Sequence, residues 1–405
     1  MMNETRRSIA GLGTGCDDGG EERLSAAPAV LHVITRLDRG GSAEVVLDLV
    51  RMLAADGYRV GIVTGLTEDP QEDLDTYSHR YGVPVFRAPR LLRRISPVND
   101  LAVFFRIRSL IRRFRPDIVH THTSKAGIIG RFAAWSAGVP RIVHTPHGHI
   151  FYGYFDSRVT RLFIIAERIA ARVTDRIVTL TRKGLEDHLA VGIGEPGRFT
   201  VIPSGTGVAR FTGADGSAVR AEIGCGSGTV VGWAGRLAPV KDCATFLRAA
   251  AVVAAKHPDL CVLVAGDGEE RKHLLTLAEE LGIGRNVRFI GDRRDMPQVL
   301  AAMDVFVLSS RNEGFGRVIV EAMAAGTPVV STAVGGVIEV IEDGVSGVLV
   351  PPGNPGRMAG AVLALLADPP ARARFRENGL ERAKRFDTRV MVDAYERLYT
   401  EVLGG

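Results

Sequence analysis

The chain has 405 residues, 46% of them hydrophobic, and a formal net charge of +5. That length exceeds what one core usually holds, so two domains are expected, and no apolar run is long enough to cross a membrane. The modest positive charge suits an anionic ligand or surface, and no nucleic-acid-binding module is visible, so nucleic acid is not expected as a partner.

Residues 1–28 are polar and Gly-rich, with Arg6 and Arg7 but no apolar segment of the kind a secretory signal needs, and they read as a disordered leader. Within them Gly11, Gly13 and Gly15 mimic a dinucleotide fingerprint, but no strand precedes them. Cys16, Cys225, Cys243 and Cys261 are scattered and form no Cys-x-x-Cys pair, which fits a reducing cytoplasm and excludes a cysteine-based zinc site.

Val30 to Thr35 reads as a buried strand leading into Gly40-Gly41 and a periodic helix with Val45, Leu49 and Leu53. Glycines at such a turn let a ligand approach the backbone, and the helix N-terminus offers unpaired N–H groups to an anion. Packing alone would also account for the glycine pair. Short apolar runs then alternate with helical stretches at residues 60–64, 83–86, 117–121, 141–145, 176–180 and 200–203. The pattern repeats at 230–234, 261–265, 287–290, 305–308, 329–331 and 347–350. This βα series predicts an α/β protein of two Rossmann-like domains with mostly parallel sheets, residues 29–208 and 209–386, joined where Gly and Ser accumulate near 204–215.

Between the third and fourth strands, residues 90–115 carry Arg90, Arg93, Arg94, Arg106, Arg108, Arg112, Arg113 and Arg115 among apolar residues. Such a helix either lies on an anionic membrane surface or packs on its own sheet with a solvated basic face, and the sequence leaves both open. His120, His122, His144, His147 and His149 fall near the carboxyl ends of neighbouring strands. Imidazoles in such numbers could ligate a metal, yet no acidic ligand lies nearby and no His-Glu-x-x-His motif appears. A polar crevice is the expectation, with no metal assigned.

In the second half Arg236 and Lys241 leave a strand together, a planar fork and a mobile point charge suited to two phosphates. Gly266-Asp267-Gly268, Gly291-Asp292 and Gly335-Gly336 add glycine-bearing loops on the same edge. After the strand at 305–308 come Glu313-Gly314-Phe315-Gly316 and a helix holding Glu321, expected about two turns along it and ending at Gly326. Two carboxylates beyond the carboxyl end of a parallel strand stand where open α/β sheets bind ligands.

Glu313 to Gly316, running on to Glu321-Ala322-Met323-Ala324-Ala325-Gly326-Thr327-Pro328, resembles the Glu-x7-Glu motif of family 4 retaining glycosyltransferases. Gly40-Gly41, Gly235-Arg236 with Lys241, Gly266-Asp267-Gly268 and Ile202-Pro203-Ser204-Gly205 fit the same family. The stretches from His120 and from His144 resemble bacterial members that build cell-surface polysaccharide. The resemblance implies the GT-B fold, two Rossmann-like domains facing across a deep cleft, with the final helix from residue 387 crossing back to the N-terminal domain.

It further implies that Arg236 and Lys241 hold the diphosphate of a UDP- or GDP-linked sugar, Glu321 the ribose, and Glu313, with Gly314, Phe315 and Gly316, the sugar side. Gly41 and Gly266 would complete the donor site, and His147 would lie by the sugar's hydroxymethyl end. Catalysis would rest on Glu313, His147, Arg236 and Lys241, without metal or other cofactor, on a lipid-linked or glycan acceptor. The place implied is the cytoplasm, peripheral on the inner face of the plasma membrane. Thr206-Gly207 and Val337-Ile338 depart from the family's usual acidic residue and proline. Alternatives of other classes are a GT-B-shaped sugar-nucleotide epimerase, a phosphorylase, or a non-catalytic nucleotide-sugar-binding subunit of a transferase complex.

Overall fold

The computed structural model describes residues 27–70, 72–92, 94, 96–148 and 157–405, so most of the expected leader, together with Arg93 and His149, lies outside the described residues. The first half builds a sheet from β1 (Ala29–Ile34), β2 (Arg59–Thr64), β3 (Val85–Arg87), β4 (Ile118–His122), β5 (Arg141–Thr145), β6 (Arg176–Thr179) and β7 (Phe199–Val201). Its order is β3-β2-β1-β4-β5-β6-β7, parallel throughout.

The second sheet contains β8 (Val230–Ala234), β9 (Cys261–Ala265), β10 (Val287–Gly291), β11 (Val305–Leu308), β12 (Val329–Thr332) and β13 (Val348–Val350). It runs β10-β9-β8-β11-β12-β13, again parallel. The strands are legible as unbroken apolar runs because helices cover both faces: β1, β4, β8, β9, β11 and β12 are buried along their whole length. In both sheets the order reverses beside the first strand, between β1 and β4 and between β8 and β11, which opens a crevice at the carboxyl ends.

The last helix, Thr388–Gly404, buries Met391, Val392, Tyr395, Leu398, Tyr399 and Val402 in the core under the first sheet, with Val30, Ile34 and Leu49. Thr206 and Asp387 pair where the chain passes between the two halves, through Thr206 N–H to Phe386 O (2.9 Å) and Thr388 N–H to Thr206 O (3.0 Å). Gly205 permits this: a Cβ there would lie 2.9 Å from Thr388 Cα.

Cys225 and Cys261, scattered in the sequence, meet and form a disulfide. The pairing of β8 with β9 sets Val230 beside Cys261, which brings the residues just before β8 to the start of β9, a proximity that sequence spacing does not show. Cys243 is a buried thiol whose pKa burial pushes up.

Of the two readings open for the basic stretch, the helix does pack on its own sheet, with a solvated basic face. Helix Pro97–Phe114 turns Val103, Ile107, Leu110 and Ile111 into the core, so they are not free to face a membrane. Its outer face keeps Val98 (80% exposed), Leu101 (60%) and Phe105 (58%) beside exposed Arg106, Arg112 and Arg113.

Candidate active site

The site begins where β11 ends. Ser309 and Ser310 are buried, and the loop beyond them carries Glu313, only 8% exposed. Lys241 Nζ donates to Glu313 Oε1 at 2.5 Å and Ser310 Oγ to the same oxygen at 2.9 Å. Lys241 ends the 3-10 turn Pro239–Lys241 that follows β8, so neighbouring strands place the two charges. The loops are tied a second time: Arg311 Nε donates to Asp242 Oδ2 (2.9 Å), and Arg311 N–H to Val240 O (2.9 Å). Asp242 in turn caps helix Cys243–Ala254 by accepting from Thr245.

Glycines set the shape of this edge by what they leave out. A Cβ on Gly336 would sit 2.2 Å from Gly314 O, and one on Gly335 2.0 Å from Glu313 O; Gly336 N–H then donates to Glu313 O at 2.9 Å. Gly266 is required by contact with Gly235, whose carbonyl would lie 1.9 Å from an added Cβ. Its role here is to seat the Gly235–Leu237 loop, whose Arg236 side chain is exposed. Phe315 is buried, edge-on to Phe386 at 5.4 Å, so its ring belongs to the core.

Helix Arg317–Ala324 starts at Gly316, which adopts φ 83°, and Glu321 lies a little over one turn along it, not two, because the helix begins only at Arg317. Burial raises the Glu321 carboxyl pKa, with Arg317 opposing and Glu44 reinforcing the shift. Arg317 spans the two halves. Its Nη1 donates to Gly41 O (2.9 Å), and its Nη2 lies 3.1 Å from Glu44 Oε2 and 3.7 Å from Glu321 Oε1. Glu44 also accepts from Arg210 at 2.9 Å. Gly40, at φ 152°, turns the chain into helix Gly41–Ala55, whose N-terminus therefore points at this junction.

His147 approaches from the first sheet. It follows β5 at φ 60°, and a Cβ on Gly314 would lie 3.5 Å from Gly148 Cα and 3.8 Å from His147 O, so this turn meets the Glu313 loop. Burial, with Arg317 nearby, lowers its pKa to about 3, which keeps the ring neutral. Glu313, Lys241, Gly314, Gly316 and Glu321 thus line one side of the cleft, with Arg236 on the loop beside Lys241, and Gly41 and His147 face them from the first half. Sequence reasoning passed over Arg317, Ser310 and His32. Arg317 was findable as the i−4 partner of Glu321 on a helix.

Behind His147 lies a buried histidine cluster. Among the described residues, His32, His120 and His122 bring their ring nitrogens within 4.8 Å of one another, close enough to consider a metal. All of their ring nitrogens but His32 Nε2 already serve one another and the protein: His32 Nδ1 to His122 Nε2 (3.0 Å), His122 Nδ1 to His147 Nε2 (2.9 Å), His120 Nδ1 to Tyr399 Oη (2.7 Å) and His120 Nε2 to Thr145 Oγ1 (2.8 Å).

Two parallel-sheet halves with a cation–carboxylate pair on one edge and a glycine turn and histidine on the other define a GT-B glycosyltransferase. The family models agree: residues 40–205 match the glycosyl transferase 4-like domain and residues 226–382 the glycosyl transferases group 1. The chain is 33% identical over 414 residues to the D-inositol 3-phosphate glycosyltransferase of Salinispora arenicola, covering 94% of this chain and 91% of that one. It is 33% identical over 260 residues to the UDP-Gal:alpha-D-GlcNAc-diphosphoundecaprenol alpha-1,3-galactosyltransferase of Escherichia coli, covering 63% and 67%. The structure of Anabaena Alr3699/HepE in complex with UDP-glucose superposes with a TM-score of 0.79 at 25% identity, over 92% of this chain and 99% of that one. The chain belongs to the group 1, family 4-type glycosyltransferases.

Proposed function

We propose that this enzyme is a retaining, metal-independent hexosyltransferase that moves a sugar from a nucleoside diphosphate to a lipid-linked or polysaccharide acceptor. The observation that carries the reading is the Lys241–Glu313 pair, held at the cleft edge opposite Gly41 and His147. Departure of a glycosyl diphosphate builds negative charge on phosphate, and cations and a helix N-terminus fixed there favour the transition state over the ground state. Lys241, Arg236 and the turn at Gly41 supply that field. Glu313 faces the sugar as a positioning and electrostatic group, and Glu321 holds the ribose. The acceptor hydroxyl attacks from the leaving-group side and the phosphate takes its proton, giving retention.

UDP is the supported nucleotide, since the Anabaena neighbour was solved with UDP-glucose and the Escherichia coli relative is named for UDP-galactose. The latter's undecaprenyl-linked acceptor supports a lipid-linked one here. A test is thermal shift with nucleoside diphosphates and then their sugars, since a ligand bound only by the native state raises the melting point. Stabilisation by UDP and UDP-hexoses is expected, unchanged by a chelator; no shift with any of them would sink the reading. NMR of the product fixes the anomeric outcome.

Acceptor access suggests peripheral attachment to the inner face of the plasma membrane. The exposed Val98, Leu101 and Phe105 have exposed Trp135 on the adjoining helix Ser124–Ser136, and Leu162 and Ile165 on the helix beyond it. With the arginines, this is the composition of an interfacial surface. In co-sedimentation, Phe105→Ser with Leu101→Ser should lose binding to anionic vesicles; wild-type protein that ignores vesicle charge would remove the attachment.

A further inference from the structure

Three histidines from two strands and a turn run in line from the core to the cleft. His32 Nδ1 bonds His122 Nε2 (3.0 Å), and His122 Nδ1 bonds His147 Nε2 (2.9 Å). Register explains the line: β1 pairs with β4 so that His32 lies beside His120, and His122, two residues on, shares its face. A neutral imidazole carries one N–H, so each link needs one ring to donate and the next to accept, and the chain has only two internally consistent polarities.

The far end decides between them. His32 Nε2 is buried and has no hydrogen-bond partner. If protons pointed inward, His32 would carry its N–H at that orphaned position. If they point outward, His32 leaves only a lone pair there, and an orphaned buried N–H is the rarer and costlier of the two. Outward polarity puts the His122 proton on Nδ1, so His147 Nε2 accepts and its own proton must sit on Nδ1.

We propose that His32 and His122 are positioning residues that fix the tautomer of His147, so that it presents an Nδ1–H donor to the cleft. This rests on the reading above that His147 faces the donor sugar. A neutral N–H there donates to a sugar oxygen without placing a cation beside the developing oxocarbenium. It also makes His147 selective for a group that can accept. Burial keeps His32, like His147, near a pKa of about 3, so the line stays uncharged at neutral pH. His120, bonded to Tyr399 and Thr145, lies tilted against His122 at 4.1 Å between ring centres and stands outside the line as its support.

The test is nitrogen-15 NMR of histidine-labelled full-length enzyme, with the His147 signals assigned from His147→Gln. Wild type should show His147 protonated at Nδ1. In His122→Leu, and in His32→Phe should the first variant fold poorly, the His147 proton should redistribute to Nε2. Turnover should then fall about tenfold with the donor KM nearly unchanged, the pattern of an interaction made in the transition state. His122→Gln, whose amide offers one donor and one acceptor, should recover part of both. Protonation of His147 at Nε2 in wild type, or a tautomer indifferent to both variants in folded protein, overturns the proposal. Failure of UDP-sugars to bind while the tautomer still responds would sink the donor reading and leave the relay standing.

Discussion

Glu313 and Lys241 neutralise one another inside the cleft, with 9% and 25% of their side chains exposed. Removing one partner strands the other, which is the costly way to break a half-buried pair. Lys241→Ala should therefore lower the melting temperature and also cut turnover at least about tenfold, or ~1.4 kcal/mol of transition-state stabilisation. The double variant Lys241→Met with Glu313→Gln should recover the melting temperature without recovering turnover. If the double variant is active, the pair is structural. The histidines give a second prediction. His32 and His147 are lowered to about 3, and His120, His122 and His144 well below the ordinary value, all chiefly by burial. The unfolded chain then binds more protons than the native one below about pH 6.5, so stability falls as pH drops from there, by about 1.4 kcal/mol per pH unit per proton. Glu321, shifted upward, works in the opposite sense and subtracts at most one proton. Urea midpoints between pH 7 and 5 should fall with a slope above one proton; a flat profile would mean the cluster is hydrated.

At the scale of elements, the site is a set of loops held in register by glycine contacts and short ties. Gly336→Ala tests this: its Cβ would press on Gly314 O and, at 2.5 Å, on Thr181 Cγ2. Overpacking of this kind costs about 1–3 kcal/mol. Because the strain falls on the Glu313 loop, kcat should drop further than the melting temperature suggests; equal activity per folded molecule would refute the contact's role. The strands could be read from the chain because each is an apolar run bounded by turn residues. Glu313, Lys241 and Gly41 were legible for a related reason: they sit at strand ends, where the topology of a parallel sheet gathers loops. What spacing could not report was cross-strand register, which sets His32 beside His120, with His122 two residues on, and Val230 beside Cys261, bringing Cys225 within reach of it. Gly266, packed on the Gly235 carbonyl, shows how little a glycine in sequence says about its reason. A glycine needed so that one backbone can pass another looks, in sequence, like a glycine needed to admit a ligand.

The whole molecule is two halves joined by neighbouring chain crossings at Thr206 and Asp387, bridged across the cleft through Arg317, Glu44 and Arg210. Paired crossings are where a hinge between the halves would bend, and the arginine bridge holds the halves together in the arrangement seen. A donor held by residues of both halves binds well only to the shut form, so its apparent affinity is reduced by whatever fraction of molecules is open. Arg317 contributes to closure at three points, Gly41 O, Glu44 and Glu321, and its side chain is only 10% exposed. Arg317→Ala should raise the radius of gyration measured by small-angle scattering without donor, raise the donor KM about tenfold, and leave kcat at saturation within about threefold, since a saturating donor restores closure. Glu44→Gln, which loosens both arginines yet leaves Arg317 beside Glu321, should give the same signature in milder form. Had Arg317 acted on the reacting sugar, its loss would lower kcat at saturating donor and leave the scattering unchanged; that outcome would move it from the hinge to the chemistry.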